Sequence, residues 1–218
     1  MLGEIIRNRS ITEVLHFTTQ RGLVGMLAEG EVLSRRLLPA NKYLENVAFA
    51  NAKFRPEESV HFDKSKDWLD YINLSISEIN RSFFDISKRW HKDEDVWWVI
   101  LSFDAIILEH EGVFFGTTNN KYDGCERGAG PTGLAKLFAK IIHREGNWWA
   151  RRAGRADHLT TCQQAEVLYP SRLSLASLRR IYVSEDEQSD MVKSMLRMLD
   201  RTDVEVVIRP KKFEGMPN

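Results

Sequence analysis

The chain has 218 residues, 43% of them hydrophobic, enough to bury a substantial core in a single domain spanning residues 1–218. Its 31 basic and 31 acidic residues cancel, so overall charge does not draw it to nucleic acid or to an anionic membrane, and any such binding must come from a local cluster. There are only two cysteines and no CxxC pair, no secretory apolar segment near Met1, and no apolar run near the roughly 20 residues of a membrane helix. These features argue against a disulfide scaffold, a zinc knuckle, export or a membrane span, and predict a reduced, cytoplasmic protein.

Ile11 to Phe17 reads as a strand. Thr18 and Thr19 can cap a helix carrying Leu23, Met26 and Leu27 at helical spacing, which Gly30 stops before a short strand from Glu31 to Ser34. This opening puts His16 at a strand end beside a helix N-terminus. Arg35 to about Lys66 has little periodicity, with Pro39 and Pro56 inside it, and reads as a long ordered loop of the kind that is usually functional. Asp70 to Ile76 alternates, placing Tyr71, Asn73 and Ser75 on one strand face and Ile72, Leu74 and Ile76 on the other. Ile79, Phe83 and Ile86 then predict a helix over Ser77 to Lys88, or one continuous helix from Trp68. The apolar run Val96 to Phe103 predicts a central strand buried on both faces.

A helical turn from Ala105 to His110 and a strand from Val113 to Thr118 follow, then a glycine-rich loop to Pro131 and a short helix from Thr132 to Ile142. From His143 to Thr161 neither period persists, and this loop holds Arg144, Trp148, Trp149, Arg151, Arg152 and Arg155. Strands are expected at Gln163 to Tyr169, Leu178 to Val183 and Val204 to Ile208, with a helix from Asp186 to Leu199 that turns Met191, Met195, Met198 and Leu199 inward.

Four features bear on chemistry. Gly128 to Gly133 spells GxGxxG, but the predicted strand ends about ten residues earlier and the regular alternation of a doubly wound sheet is missing, so a flexible loop is the better reading. The tryptophans among arginines from 144 to 155 suit unstacked bases, which stack on aromatic faces while guanidinium groups meet phosphate, or the loop packs its tryptophans on the core. Alternation puts Gln164 and Glu166 on one strand face, and Glu166 is either a functional carboxylate or a solvent-facing residue of an edge strand. His16 reads equally as a satisfied histidine, and the remaining histidines and cysteines lack metal-ligand spacing, so no metal is expected.

Val14-Leu15-His16-Phe17-Thr18-Thr19, Asp70-Tyr71-Ile72-Asn73-Leu74-Ser75, Thr117-Thr118-Asn119-Asn120 and Gln163-Gln164-Ala165-Glu166-Val167 together resemble the DarT family of DNA ADP-ribosyltransferase toxins, over about residues 10 to 183. The Asn-Leu-Ser strand and the Thr-Asn-Asn stretch look more like its guanine-modifying branch. The resemblance implies an α+β ADP-ribosyltransferase fold, two packed, mostly antiparallel sheets with peripheral helices and an NAD cleft. It implies NAD as co-substrate without a metal, single-stranded DNA as acceptor, and a cognate antitoxin that removes ADP-ribose. Carried over by residue, Glu166 is catalytic together with Arg55 of the 35–66 loop, which closes over NAD. His16, Thr18, Tyr71, Asn73, Ser75 and Gln164 contact NAD, and the arginine and tryptophan residues of 144–155 hold DNA. A rival within enzymes is an ADP-ribosyltransferase acting on RNA or protein, and a rival of another class is a non-catalytic nucleic-acid-binding module.

Overall fold

The computed structural model describes residues 1–38, 68–120 and 122–215. Its centre is β4 (Trp98–Asp104), the apolar run singled out in the sequence. Val99, Leu101 and Phe103 face one hydrophobic cluster and Ile100 faces another, so the two-residue period buries both sides of the strand. β1 (Glu13–Thr19) pairs antiparallel with β4 along its whole length, from Glu13 opposite Asp104 to Thr19 opposite Trp98. On the other side of β4 lies β11 (Leu178–Val183), and β12 (Glu205–Ile208) joins β11 in parallel through the crossover helix α5 (Asp186–Met198).

β3 (Tyr71–Ile76) follows β1, and β9 (Glu166–Pro170), β5 (Phe114–Gly116) and β6 (Arg127–Ala129) complete an eight-stranded sheet in the order β12-β11-β4-β1-β3-β9-β5-β6. Every neighbouring pair except β11 and β12 is antiparallel. The expected pair of sheets corresponds to the two halves of this one, because β1 and β3 pair only at Val14 opposite Ile76 and Leu15 opposite Ser75. Beyond that point the ladder stops and a cleft opens between the halves. Two further two-stranded sheets pair β2 (Glu31–Leu33) with β10 (Arg172–Ser174) and β7 (Ile141–Glu145) with β8 (Trp148–Arg151).

The remaining described helices are α1 (Leu2–Asn8), α2 (Gln20–Glu29), α3 (Arg81–Trp90) and α4 (Gly130–Lys136). α2 starts as its sequence predicts, with the Thr19 side chain accepting from Gly22 N at 3.2 Å, and ends at Gly30 with φ 73°. α3 begins later than predicted because Ser77 adopts φ 62° and Asn80 is the cap, its side chain accepting from Phe83 N at 3.0 Å.

Several expectations are corrected. The 143–161 segment is not a structureless loop: its first part pairs as the β7–β8 hairpin, and Ile141 and Ile142, read as the end of a helix, belong to β7. α5 buries Ser189, Val192 and Leu196, whereas Met191, Met198 and Leu199 are exposed, Met198 at 83%. The inward row therefore lies one position along from the methionines, and only Met195 packs on the core. A strand does run straight into the GxGxxG glycines, namely β6, but it is antiparallel to β5. The glycines serve contact between backbones, since a Cβ on Gly133 would fall 2.3 Å from the Gly128 carbonyl oxygen. α1 had no counterpart in the sequence reading.

Candidate active site

The cleft where β1 and β3 part is lined by His16, Phe17 and Thr18 of β1, Gly22 and Met26 of α2, Tyr71 to Ser75 of β3, Phe83 and Ser87 of α3, Trp98 of β4, Arg35, and Glu166 of β9. His16, Thr18, Tyr71, Asn73, Ser75 and Glu166 thus meet in one place, although they come from three separate stretches of sequence. The 3.8 Å step of the chain cannot bring them together; the strand order β1-β3-β9 does.

His16 stands where the β1–β3 ladder ends, and its Nδ1 lies 3.1 Å from Asn73 O. A carbonyl can only accept, so Nδ1 donates and the neutral ring presents its Nε2 lone pair. Burial holds the His16 pKa below the ordinary 6.5, while the bond to Asn73 O works in the opposite direction. Thr18 is buried beneath α2, with its hydroxyl in the space that a side chain on residue 22 would fill. Tyr71 is buried with its ring edge-on to Phe114, centroids 6.0 Å apart.

Glu166 is 4% exposed and opens β9, which lies between β3 and β5. The solvent-facing edge position is therefore ruled out. Its Oε2 accepts from Asn120 N at 3.0 Å. Asn120 is in turn gripped by Arg127, whose Nε donates to Asn120 Oδ1 and whose Nη2 donates to Asn120 O. Nearby, burial pushes the Cys125 thiol up to about 11, against the pull of Arg127, so it stays a neutral thiol. Gln164 does not share a strand face with Glu166: it lies in the turn that Ala165 N closes on Cys162 O at 3.0 Å, and the strand begins at Glu166. Gln164 is buried, is not among the described residues that line the cleft, and its Oε1 has no hydrogen-bond partner among the described residues.

The β7–β8 hairpin presents Trp148 and Trp149 at 70% and 55% exposure, with Arg151 also exposed. The Trp149 ring lies against His143, centroids 4.5 Å apart, and His143 Nε2 is 2.7 Å from Gly146 O. Ile142 and Ala150 bury the other side of the hairpin against Cys162, whose sulfur is 3.3 Å from Thr118 Oγ1. This packing ties the hairpin to the segment leading into Glu166.

Arg152 and Arg155, expected among the DNA-contacting residues, make bonds within the protein. The Arg155 side chain is 5% exposed, pairs with Glu78 at 6%, and donates through Nε to Thr160 O at 3.0 Å. Arg152 donates to the carbonyls of Leu159 at 2.9 Å and of Ala156 and Asp157 at 3.2 Å, and covers the Phe138 ring. Both fasten the 152–161 loop from within, because unpaired carbonyls in a compact turn need donors as much as a phosphate does. Arg144 is half-buried, and its Nε has no hydrogen-bond partner among the described residues. Arg55 lies outside the described residues.

Sequence reasoning missed Asn120 as a contact of the carboxylate, Arg127 altogether, and the aromatic lining from Phe17, Phe83 and Trp98. The Thr117–Asn120 stretch marked the resemblance without announcing a role. Among the described residues no three His, Cys, Asp or Glu side chains gather as a metal set, and no helix is long and apolar enough to cross a membrane.

A family model described as "ssDNA thymidine ADP-ribosyltransferase, DarT" matches residues 15–214. Among solved structures, DarT from Thermus sp. 2.9 in complex with ADP-ribosylated ssDNA is 16% identical with a TM-score of 0.67, over 93% of this chain and 96% of that one. The same protein in complex with NAD+ is 16% identical with a TM-score of 0.63, over 92% and 96%. DarTG from Thermosipho africanus in complex with ADP-ribose is 13% identical with a TM-score of 0.61, over 95% of this chain and 52% of that one. At these identities the likeness to solved structures establishes a shared fold. No curated protein matches.

Proposed function

The chain belongs to the DarT family, and from that membership we propose that it transfers ADP-ribose from NAD onto a base of single-stranded DNA and releases nicotinamide. The observation that carries this reading is the buried Glu166 carboxylate, held by the Asn120 amide, in one cleft with His16. The DarT of Thermus sp. 2.9, with the same fold, has structures with NAD+ and with ADP-ribosylated ssDNA.

In this reading the nicotinamide–ribose bond breaks with its electron pair leaving on nicotinamide, and positive charge builds on the ribose. Glu166 stabilises that charge as a fixed carboxylate in a site poor in water. A base nitrogen then attacks the ribose carbon, and Glu166 accepts the proton that the nitrogen sheds, a general-base contribution of typically 10²–10⁴-fold. The Nε2 lone pair of His16 suits a ribose hydroxyl, Asn73 and Ser75 line the nicotinamide side with Tyr71, and Thr18 backs the cleft. Gln164 keeps a supporting place behind Glu166, and Arg55 meets the diphosphate from the 35–66 loop. Trp148, Trp149 and Arg151, with Arg144, form the acceptor surface, where a base already unpaired avoids the cost of extrusion from a duplex.

Guanine is the proposed base, supported by Asn73-Leu74-Ser75 and Thr117 to Asn120; the family description speaks of thymidine. A toxin role in the cytoplasm with a cognate antitoxin that removes ADP-ribose is proposed with it, supported by the likeness to a DarTG chain. The test is incubation with labelled NAD and separate single-stranded DNA, RNA and protein acceptors, the DNA as homopolymers. Label on guanine-bearing single strands alone is expected. Label on thymine would reverse the choice of base, and label on RNA or protein alone would reject DNA as acceptor.

A further inference from the structure

Across three adjacent strands the register aligns Glu166 of β9 with Gly116 of β5, and Gly116 with Arg127 of β6. Directly opposed residues of antiparallel strands point to the same face, so Glu166 and Arg127 look the same way from two strands apart, roughly 9–10 Å, with a glycine between them. A Cβ on Gly116 would meet Cys125 Sγ at 3.3 Å and Thr118 O at 3.4 Å, and Asn120 reaches both neighbours. Its backbone N–H donates to Glu166 Oε2 at 3.0 Å, while its side-chain and backbone oxygens both accept from Arg127.

We propose that Arg127 is a positioning residue that fixes the Asn120 amide and, through it, the orientation of the Glu166 carboxylate. This rests on the assignment of Glu166 as the catalytic carboxylate. Two features favour orientation over mere scaffolding. The grip is two-pronged, a planar guanidinium holding two oxygens of one residue, which sets the direction of the Asn120 peptide as well as its distance. Arg127 is itself anchored on its C-terminal side, because Gly128 meets the backbone of Gly133 at the start of α4, so β6 cannot slide without moving the helix. A loop amide aimed at one oxygen of a carboxylate from a strand-borne arginine is a preorganised dipole, which needs no rearrangement as charge develops on the ribose.

The test compares wild type, Arg127→Ala and Arg127→Lys in nicotinamide release with single-stranded DNA, alongside hydrogen exchange of the Asn120 amide measured by NMR. Arg127→Ala is expected to lower kcat between about 10- and 100-fold with the KM for NAD held within about twofold, as for a displaced catalytic group. Arg127→Lys, which keeps the charge and donors but not the planar fork, is expected to recover part of kcat, and the Asn120 amide is expected to exchange faster in both variants. Wild-type kcat in Arg127→Ala, a parallel rise in KM, or an unchanged Asn120 exchange rate would overturn the proposal. A wild-type protein that turns over no NAD would instead sink the proposed function, and the exchange measurement alone would then decide whether Arg127 holds the amide.

Discussion

Glu166 and the Trp148–Trp149 hairpin are neighbours through Cys162, yet they are built by opposite means. The carboxylate is 4% exposed, in an interior strand, and bonded to a loop amide that an arginine holds. The tryptophans are 70% and 55% exposed on a two-stranded ribbon that buries only Ile142 and Ala150. In the proposed function, the group that would meet developing charge is held in place by the fold, while the surface that would accept a polymer is open. Between them, Arg152 and Arg155 form a seam of internal bonds that keeps the open part in register with the closed one.

The comparison breaks first at Glu166. Glu166→Gln keeps an oxygen to accept from Asn120 N–H but loses the charge and the proton acceptor. Nicotinamide release is expected to fall at least about 10²–10⁴-fold, with the melting temperature held near wild type. The seam comes next. Arg155→Ala takes the guanidinium away from the buried Glu78 carboxylate, which costs up to about 3–5 kcal/mol and lowers the melting temperature by up to roughly 6–20 °C for a chain of this size. A variant with unchanged stability and weakened DNA binding would return Arg155 to the acceptor surface.

On the open side, Trp148→Ala and Trp149→Ala are expected each to weaken oligonucleotide binding by about 1–3 kcal/mol, with the KM for NAD unmoved. Fluorescence titration with a short single strand reads the first, and the rate of nicotinamide release reads the second. Unchanged affinity in both variants would mean that the exposed rings serve some other contact.

The smallest expected effect concerns His16. Burial lowers its folded pKa below 6.5, so the unfolded imidazole takes up its proton at the higher pH. Between the two values the unfolded state binds more protons, and stability falls as the pH drops from 6.5 through the folded value. His16→Gln should flatten that part of the curve of melting temperature against pH. The NAD turnover of wild type should likewise keep its acid limb below 6.5, because the neutral ring supplies the Nε2 lone pair. Glu13 adds a separate loss further down: burial raises its pKa, but Lys212, Ser102 and Tyr182 together hold it below 4.5. Its contribution is present above 4.5 and disappears as the pH falls through the folded value.

Much of the core was legible because period and burial coincide. The Val96–Phe103 run is β4 within two residues, and the alternation from Asp70 to Ile76 is β3 with Asn73 and Ser75 on the cleft. The hairpin was not legible, because Trp148, Trp149 and Arg151 are exposed on both faces and leave no alternation to read. Nor could arginine composition tell Arg155, satisfied by Glu78 and Thr160, from Arg151, which faces solvent: both are the same letter, and only the fold decides where its donors go. Gln164 was misread because the strand starts two residues later, at Glu166, so the two-residue period had no strand to act on. Arg127 was invisible for a further reason, since its alignment with Glu166 exists only across the β9-β5-β6 register, while Asn120 stood in a stretch that marked the resemblance without showing its contact.

The most direct measurement of the central claim is mass spectrometry of a single-stranded oligonucleotide after incubation with the protein and NAD, with nicotinamide counted in the same reaction. The account predicts one ADP-ribose added to the strand for each nicotinamide released, and neither product with Glu166→Gln. Nicotinamide released without any adduct on the strand, or an adduct formed equally well by Glu166→Gln, would contradict it.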